Sequence, residues 1–408
     1  DLVRSRGLGD VYKRQEYVRY VNDDNGNLQL ETYLMGGGDV DLFIGYGGRT
    51  KMDKRVDSNL LLDMSGMLND IGFNLDDELG VANMAEYHYD DGAVYGFPTK
   101  YENSRWILIN EDMFKEAGLD IPYDGWTYSE FLADAEKLTH GEGQDKVYGV
   151  CWARKQSGKS ILYALDGVLG ANQIYKNEEG TEVNFDNDVY RAGLNLVKET
   201  LDKGYAIPIE DEFSEDISVA NTFLQGKCAI MLGVAQMRLC MDQENYPHDF
   251  MTALVPAPVP DDEKYNTEFY RKQIGTTGAG DLLSISANTK YPEASFEFAM
   301  WYLKGGMSPL VQGGRIPLWN GVNKDEVLSV LKEKAQGSID MDSMENYLSL
   351  DTTQGVAAIK GNASSEISSA WFEEFDAMCY GKQSVDQTVQ NMEKRGNELI
   401  QTELSSQK

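Results

Sequence analysis

Apolar residues run without interruption from Trp106 to Ile109, and a run of this kind predicts a strand buried on both faces. Asn110 follows as an N-cap, Met113, Phe114 and Ala117 recur at helical spacing, and Gly118 supplies a stop, so the strand feeds directly into a helix. Lys100, Glu102, Asn103 and Arg105 crowd just ahead of this unit and make residues 96–120 a candidate hinge. The same grammar recurs in FLQGKCAIMLGV (223–234), where a helix stops at Gly226, an apolar strand follows, and Gly233 ends it. Downstream, LLSIS (282–286) reads as a strand and PEASFEFAMWYL (292–303) as a helix with Pro292 in its first turn, followed by GGRIP (313–317). In residues 127–138, Thr127 and Glu130 form a capping box while Phe131, Leu132, Ala135 and Leu138 share one face, and Trp126 before them is read as core. Proline-rich VPAPVP (255–260) suits an extended connector and excludes a central strand. Met378, Val385, Val389, Met392 and Leu399 give the C-terminal stretch a helical apolar pattern.

Taken in order, the blocks GGGDVDLFIG (36–45), NEDMFKEAGLD (110–120), WTYSEFLADAEKLT (126–139), GKCAIML (226–232), KYPEASFEFAMWYL (290–303) and RIP (315–317) resemble the extracellular solute-binding proteins of ABC transporters. The resemblance is to the carbohydrate-binding, maltose-binding-protein-like branch and runs from residue 16 to about 380. It implies an α/β fold of the periplasmic-binding-protein type II kind, with two α/β lobes joined by a hinge of about three crossings. Residues 16–103 plus 259–312 are expected to form the N-terminal lobe, and 104–258 plus 313–408 the C-terminal lobe. The crossings are expected near 100–105, 255–260 and 313–317. The implied function is capture of a sugar or oligosaccharide between the lobes and delivery to the permease subunits, by a monomer without catalysis or cofactor.

A sugar presents apolar C–H faces and rings of hydroxyls, so its receptor needs flat aromatic rings beside carboxylates, amides and guanidinium groups. Tyr46 and Arg49 follow the strand 41–44, where related proteins contact sugar. Glu102 aligns with a ligand-contacting glutamate of the branch, with Asn103 beside it. Trp152 and Tyr163 flank the loop 153–160, and Gln236 and Arg238 follow the second buried strand, where the tryptophan of some relatives is absent. Thr277 and Gly278 lie in the loop before LLSIS, and Arg315 and Trp319 at the third crossing. Packing is an equal alternative for Trp152, Tyr163 and Trp319, and ion pairing across the hinge for Arg49, Glu102 and Arg315. Trp301 and Trp371, on apolar helical faces, are assigned to packing.

Residues 5–15, SRGLGDVYKRQ, read as the translation of a sequencing adapter, so 1–15 are set aside from fold reasoning. The natural start is then expected upstream, with its export signal, a lipidated cysteine or a periplasmic mature end, and the first strand and helix of the N-terminal lobe. Acids outnumber bases 67 to 37 in 408 residues, a length that favours two cores. This acidity argues against nucleic acid as a partner. No apolar run approaches the roughly 20 residues that cross a bilayer.

Cys151, Cys228, Cys240 and Cys379 are widely spaced without a CxxC pair, and Cys228 inside an apolar run reads as a small buried thiol rather than a disulfide partner. No zinc or histidine-centred site is indicated. ARKQSGKS (153–160) fits a relaxed phosphate-loop pattern but lacks the first glycine and a following magnesium-binding aspartate, so a nucleotide site ranks behind a plain polar loop. Amino sugars, peptides and polyamines are the alternative solutes. A glycan-processing enzyme would need a facing pair of carboxylates, and no pair stands out.

Overall fold

The computed structural model describes residues 16–18, 24–101, 105–154, 174–177, 179–214, 219–233, 236–271, 281–335, 337–349, 361 and 363–406. Its strands are β1 (Leu42–Gly45), β2 (Phe97–Pro98), β3 (Lys100–Tyr101), β4 (Trp106–Asn110), β5 (Tyr148–Cys151), β6 (Cys228–Leu232), β7 (Thr252–Pro256), β8 (Leu282–Ile285) and β9 (Ile316–Pro317). They form a three-stranded sheet β1-β8-β2, a four-stranded sheet β5-β6-β4-β7 and a short ribbon β3-β9. Helices cover both sheets, giving two α/β lobes, as the strand-helix alternation implied.

The second lobe is built around β4, whose five residues are all buried. Successive side chains on a strand point to opposite faces, so Trp106 and Leu108 enter one core while Ile107 and Ile109 enter another. On the first face Trp106 meets Tyr347 of helix Met341–Ser349, ring centroids 5.3 Å apart. The opposite face is covered by helices Tyr128–Leu138, Asp188–Asp202, Ser364–Cys379 and Val385–Ser406, with Phe131, Leu194, Trp371, Phe375, Val389 and Met392 in that core. Trp371 therefore packs as expected, stacked on Phe375 at 4.9 Å. Both faces of the sheet are dry, which is why its strands read as continuous apolar runs.

Local signals became local structure. Asn110 accepts a hydrogen bond from the Met113 N–H at 3.0 Å, and the Thr127–Glu130 capping box is complete. Gly118 and Gly226 sit at φ near +67° and +68°, a left-handed turn that side chains resist and that ends each helix there. Trp126 is core, its indole N–H donating to the Pro256 carbonyl at 3.0 Å. The four cysteines are free thiols, with Cys228 fully buried.

The chain passes between the two sheets three times. The first passage runs from β2 through β3 to β4, and the third reaches β9, which pairs antiparallel with β3 by matching Lys100 to Pro317 and Tyr101 to Ile316. The second passage needs correction. Thr252–Pro256 is an edge strand on β4, a place that tolerates a proline at its end. Val259 exchanges backbone hydrogen bonds with Trp126 and Tyr128, and Arg271 donates to the Gly125 carbonyl. Val259 and Arg271 therefore stay with the second lobe, and the first sheet is next joined at β8, so 255–260 is not the crossing.

Trp301 also departs from expectation. It ends helix Pro292–Trp301 with 47% of its surface exposed, its ring 5.2 Å from Phe298 and close against Gly306, a glycine that covers little of an indole. Most of the phosphate-loop-like stretch lies outside the described residues. Its Arg154 is engaged internally, forking onto both carboxylate oxygens of Asp376 at 2.7 and 2.8 Å and lying 4.3 Å over the Phe372 ring.

Candidate functional site between the lobes

Register decides which side chains meet at the junction. Because β1 and β8 are antiparallel with Gly45 opposite Leu282, Tyr46 after β1 and Asp281 before β8 fall at the same edge of the first sheet. Pro98 also faces Leu282, so the chain leaving β2 toward Lys100 emerges at that edge too. Lys100 Nζ stands 2.8 Å from Asp281 Oδ2, both largely shielded from solvent, and Arg315 reaches the same oxygen at 3.7 Å. The pleat of the ribbon puts Lys100, Pro317 and Arg315 on one side, and Tyr101 and Ile316 on the other, toward the core. Tyr302 completes the group. Burial pushes its phenol above the ordinary tyrosine range and neighbouring Tyr46 and Asp281 push the same way, while Arg315 and Lys100 pull it down.

The second lobe reaches this cluster through helix Met237–Cys240. Gly314, at φ +75°, sits so close to it that an added Cβ would lie 3.1 Å from the Arg238 Cα. Arg238 on that helix is exposed, and Gln236 immediately before it is half-buried. Tyr46, Lys100, Asp281, Tyr302 and Arg315 thus bring rings, a carboxylate and two cations to the seam, and the helix carrying Arg238 approaches it at Gly314.

Other candidates sit elsewhere. Arg49 is buried in helix Gly48–Asp57, with Nε 2.6 Å from Asp53 Oδ1 and one terminal nitrogen donating to the Glu86 and His88 carbonyls at 2.8 Å each. Its guanidinium lies 3.7 Å over the Tyr89 ring, whose hydroxyl donates to Asp53. It clamps the first lobe, away from the Lys100–Asp281 pair. Trp152 is 3% exposed and donates from its indole nitrogen to Thr200 Oγ1 at 2.9 Å, so it packs in the second core against Phe131. Half-buried Trp319 donates to Glu78 Oε2 at 2.6 Å and Asn320 bonds the Asp77 and Glu78 carbonyls, tying the third passage to helix Leu75–Leu79. Glu102, Asn103, Tyr163, Thr277 and Gly278 lie outside the described residues. Asp281 and Tyr302 were not singled out from sequence, although an acid immediately before an apolar strand marks a sheet edge.

Two α/β lobes, three connecting passages and a polar, ring-lined seam define a type II periplasmic-binding-protein fold. The family profile described as bacterial extracellular solute-binding protein matches residues 16–304. The chain belongs to that family, whose members are binding proteins of the extracellular space. Similar solved structures include the Listeria monocytogenes ABC substrate-binding protein Lmo0181 in complex with cycloalternan, 17% identical with a TM-score of 0.69, covering 93% of this chain and 90% of that one. The sugar-binding protein MalE from Xanthomonas citri is also 17% identical, with a TM-score of 0.64 and coverages of 98% and 94%. The GacH receptor of Streptomyces glaucescens, solved unliganded and with acarbose, is 16% identical with a TM-score of 0.66 and coverages of 94% and 90%. At this identity they speak for the fold. Among the described residues no helix is long and apolar enough to cross a membrane.

Proposed function

We propose that this chain is the substrate-binding component of an ABC importer, taking a sugar or oligosaccharide into the seam between its lobes and presenting it to the permease. The observation that carries the reading is the convergence of Tyr46, Lys100, Asp281 and Tyr302 with Arg315, at the place where the chain crosses between the sheets. Rings supply flat apolar faces for C–H groups, and the carboxylate, ammonium and guanidinium supply directed partners for hydroxyls. The family and the sugar-bound relatives support this assignment.

A solute touching both lobes shifts the population toward closure by its differential affinity for the closed state. No bond is made or broken, so the reading needs no nucleophile, acid-base pair or cofactor. In this reading the described residues of 24–101 and 281–313 form one lobe and those of 105–271 and 314–406 the other, and a monomer on the extracellular face of the cell membrane or in the periplasm fits the family. Of the sequence candidates, this reading keeps Tyr46, Gln236, Arg238 and Arg315 as expected contacts. Glu102, Asn103, Tyr163, Thr277 and Gly278 keep their standing from the sequence.

A thermal-shift screen of the full chain against mono- and oligosaccharides tests the proposal. A bound sugar at a hundred times its Kd stabilises by about 2.7 kcal/mol, a clear rise in Tm. If peptides or polyamines raise the Tm and no saccharide does, the assignment is wrong.

A further inference from the structure

The second lobe meets the first along one edge of its sheet, and register shows which segments leave there. The first passage enters β4 at Trp106, opposite Pro256 of β7, and β6 ends at Leu232, opposite Ile107. Because β5 runs parallel to β6 with Cys151 opposite Met231, residues 152–154 leave the sheet at this same edge. On the other side of β5, Ala206 bridges Val150 in parallel, so the chain running on to Phe213 heads the same way. Two segments far apart in sequence thus bring Arg154 and Phe213 together, the Arg154 Cζ lying 5.7 Å from the centre of the Phe213 ring and 4.3 Å from that of Phe372. Asp376 fixes this guanidinium by its edge, at 2.7 and 2.8 Å. The turn ahead of it holds Ala153 at φ +55°, in the left-handed region that a residue with a side chain resists. Phe213 keeps 41% of its surface in solvent beside this rigid group, and Phe372 is half-buried.

We propose that Phe213 and Phe372, braced by Arg154, form a second sugar subsite, and that the solute is an oligosaccharide spanning it and the Tyr46–Tyr302 group. This rests on the saccharide-capture reading and names the size of its solute. An open ring beside an immobilised guanidinium is a surface that the C–H face of a sugar covers without a side chain having to be ordered first. In the sheet, β5 lies two places from β4, roughly 10 Å along the edge from where the first passage arrives, and Phe213 stands beyond β5. One pyranose ring is too short to touch both groups, whereas a chain of linked rings reaches from one to the other. Tyr46 and Tyr302 belong to the first lobe and Phe213 and Phe372 to the second, so only the longer solute gains on both sides, and closure follows chain length.

Isothermal titration of the full chain with mono-, di-, tri- and tetrasaccharides of the malto, cello and xylo series tests this directly. In whichever series binds, the longest members are expected to bind about tenfold tighter than the monosaccharide or better, the worth of covering a further aromatic ring. Phe213→Ala, at an exposed ring, should erase most of that gain while the monosaccharide affinity and the Tm stay unchanged, and Phe213→Tyr should keep it. If the monosaccharide binds as tightly as the longer sugars, or Phe213→Ala leaves the gain intact or weakens every length equally, the second subsite is overturned and saccharide capture stands. If no saccharide binds at all, both readings fall.

Discussion

Removing the carboxylate of Asp281 asks whether the seam is held together electrostatically. At 2.8 Å and an effective dielectric near 20, the Lys100–Asp281 attraction is about 6 kcal/mol gross. Desolvation offsets most of this, because both side chains are less than a fifth exposed, and a net coupling of about 1–2 kcal/mol remains. The measurement is a double-mutant cycle. Urea unfolding of the wild type, Asp281→Asn, Lys100→Gln and the double variant, followed by circular dichroism at low salt, gives the coupling as the departure from additivity. Should two transitions resolve, the coupling belongs to the one that melts the β1-β8-β2 sheet, which Asp281 enters. Arg315→Gln serves as contrast: at 3.7 Å and 43% exposure its pairing with Asp281 contributes under about 0.5 kcal/mol. A Lys100–Asp281 coupling below about 0.3 kcal/mol, within the scatter of independent sites, refutes the description of the seam as a shielded ion pair.

Trp152→Phe keeps most of the packing but loses the indole bond to Thr200; stability should fall by about 1 kcal/mol while the affinity for any captured sugar stays unchanged by titration calorimetry. A lost affinity with intact stability would return Trp152 to the binding site. Thr127→Ala removes one half of the capping box and should cost about 1 kcal/mol in urea melts, whereas Thr127→Ser should restore most of it. Burial pushes the Asp134 carboxyl up to about 6, so the folded state holds a proton more tightly than the unfolded one. The sign follows: stability is lost as pH rises from about 4 to 6, and Asp134→Asn should gain about 1 kcal/mol at pH 7, discounted because the side chain is partly exposed, and almost nothing at pH 4. Equal gains at both pH values would contradict that assignment.

The elements were legible wherever a local signal sufficed. The four apolar residues from Trp106 to Ile109 needed no partner to read as a doubly buried strand, and Asn110, Thr127 and Glu130 cap helices through hydrogen bonds that span three residues. The site was legible only in part. Tyr46 and Arg315 were placed by resemblance, but Arg49 and Trp152 carry the same chemistry in the chain and turned out to be clamp and core. A guanidinium or an indole does not announce which groups will be there to satisfy it.

What the chain settles by itself is the period of its apolar residues, the places where helices start and stop, and the dry middle strand of the second sheet, because these depend on neighbours a few residues apart. Only the assembled structure decided the rest. The antiparallel register of β1 and β8 brings Tyr46 to Asp281, the ribbon β3-β9 turns Lys100 and Arg315 to one side, and the turn after helix Pro292–Trp301 leaves Trp301 about half exposed. Each is a question of which distant surface arrives, and burial, pairing and charge at the seam are properties of that arrival.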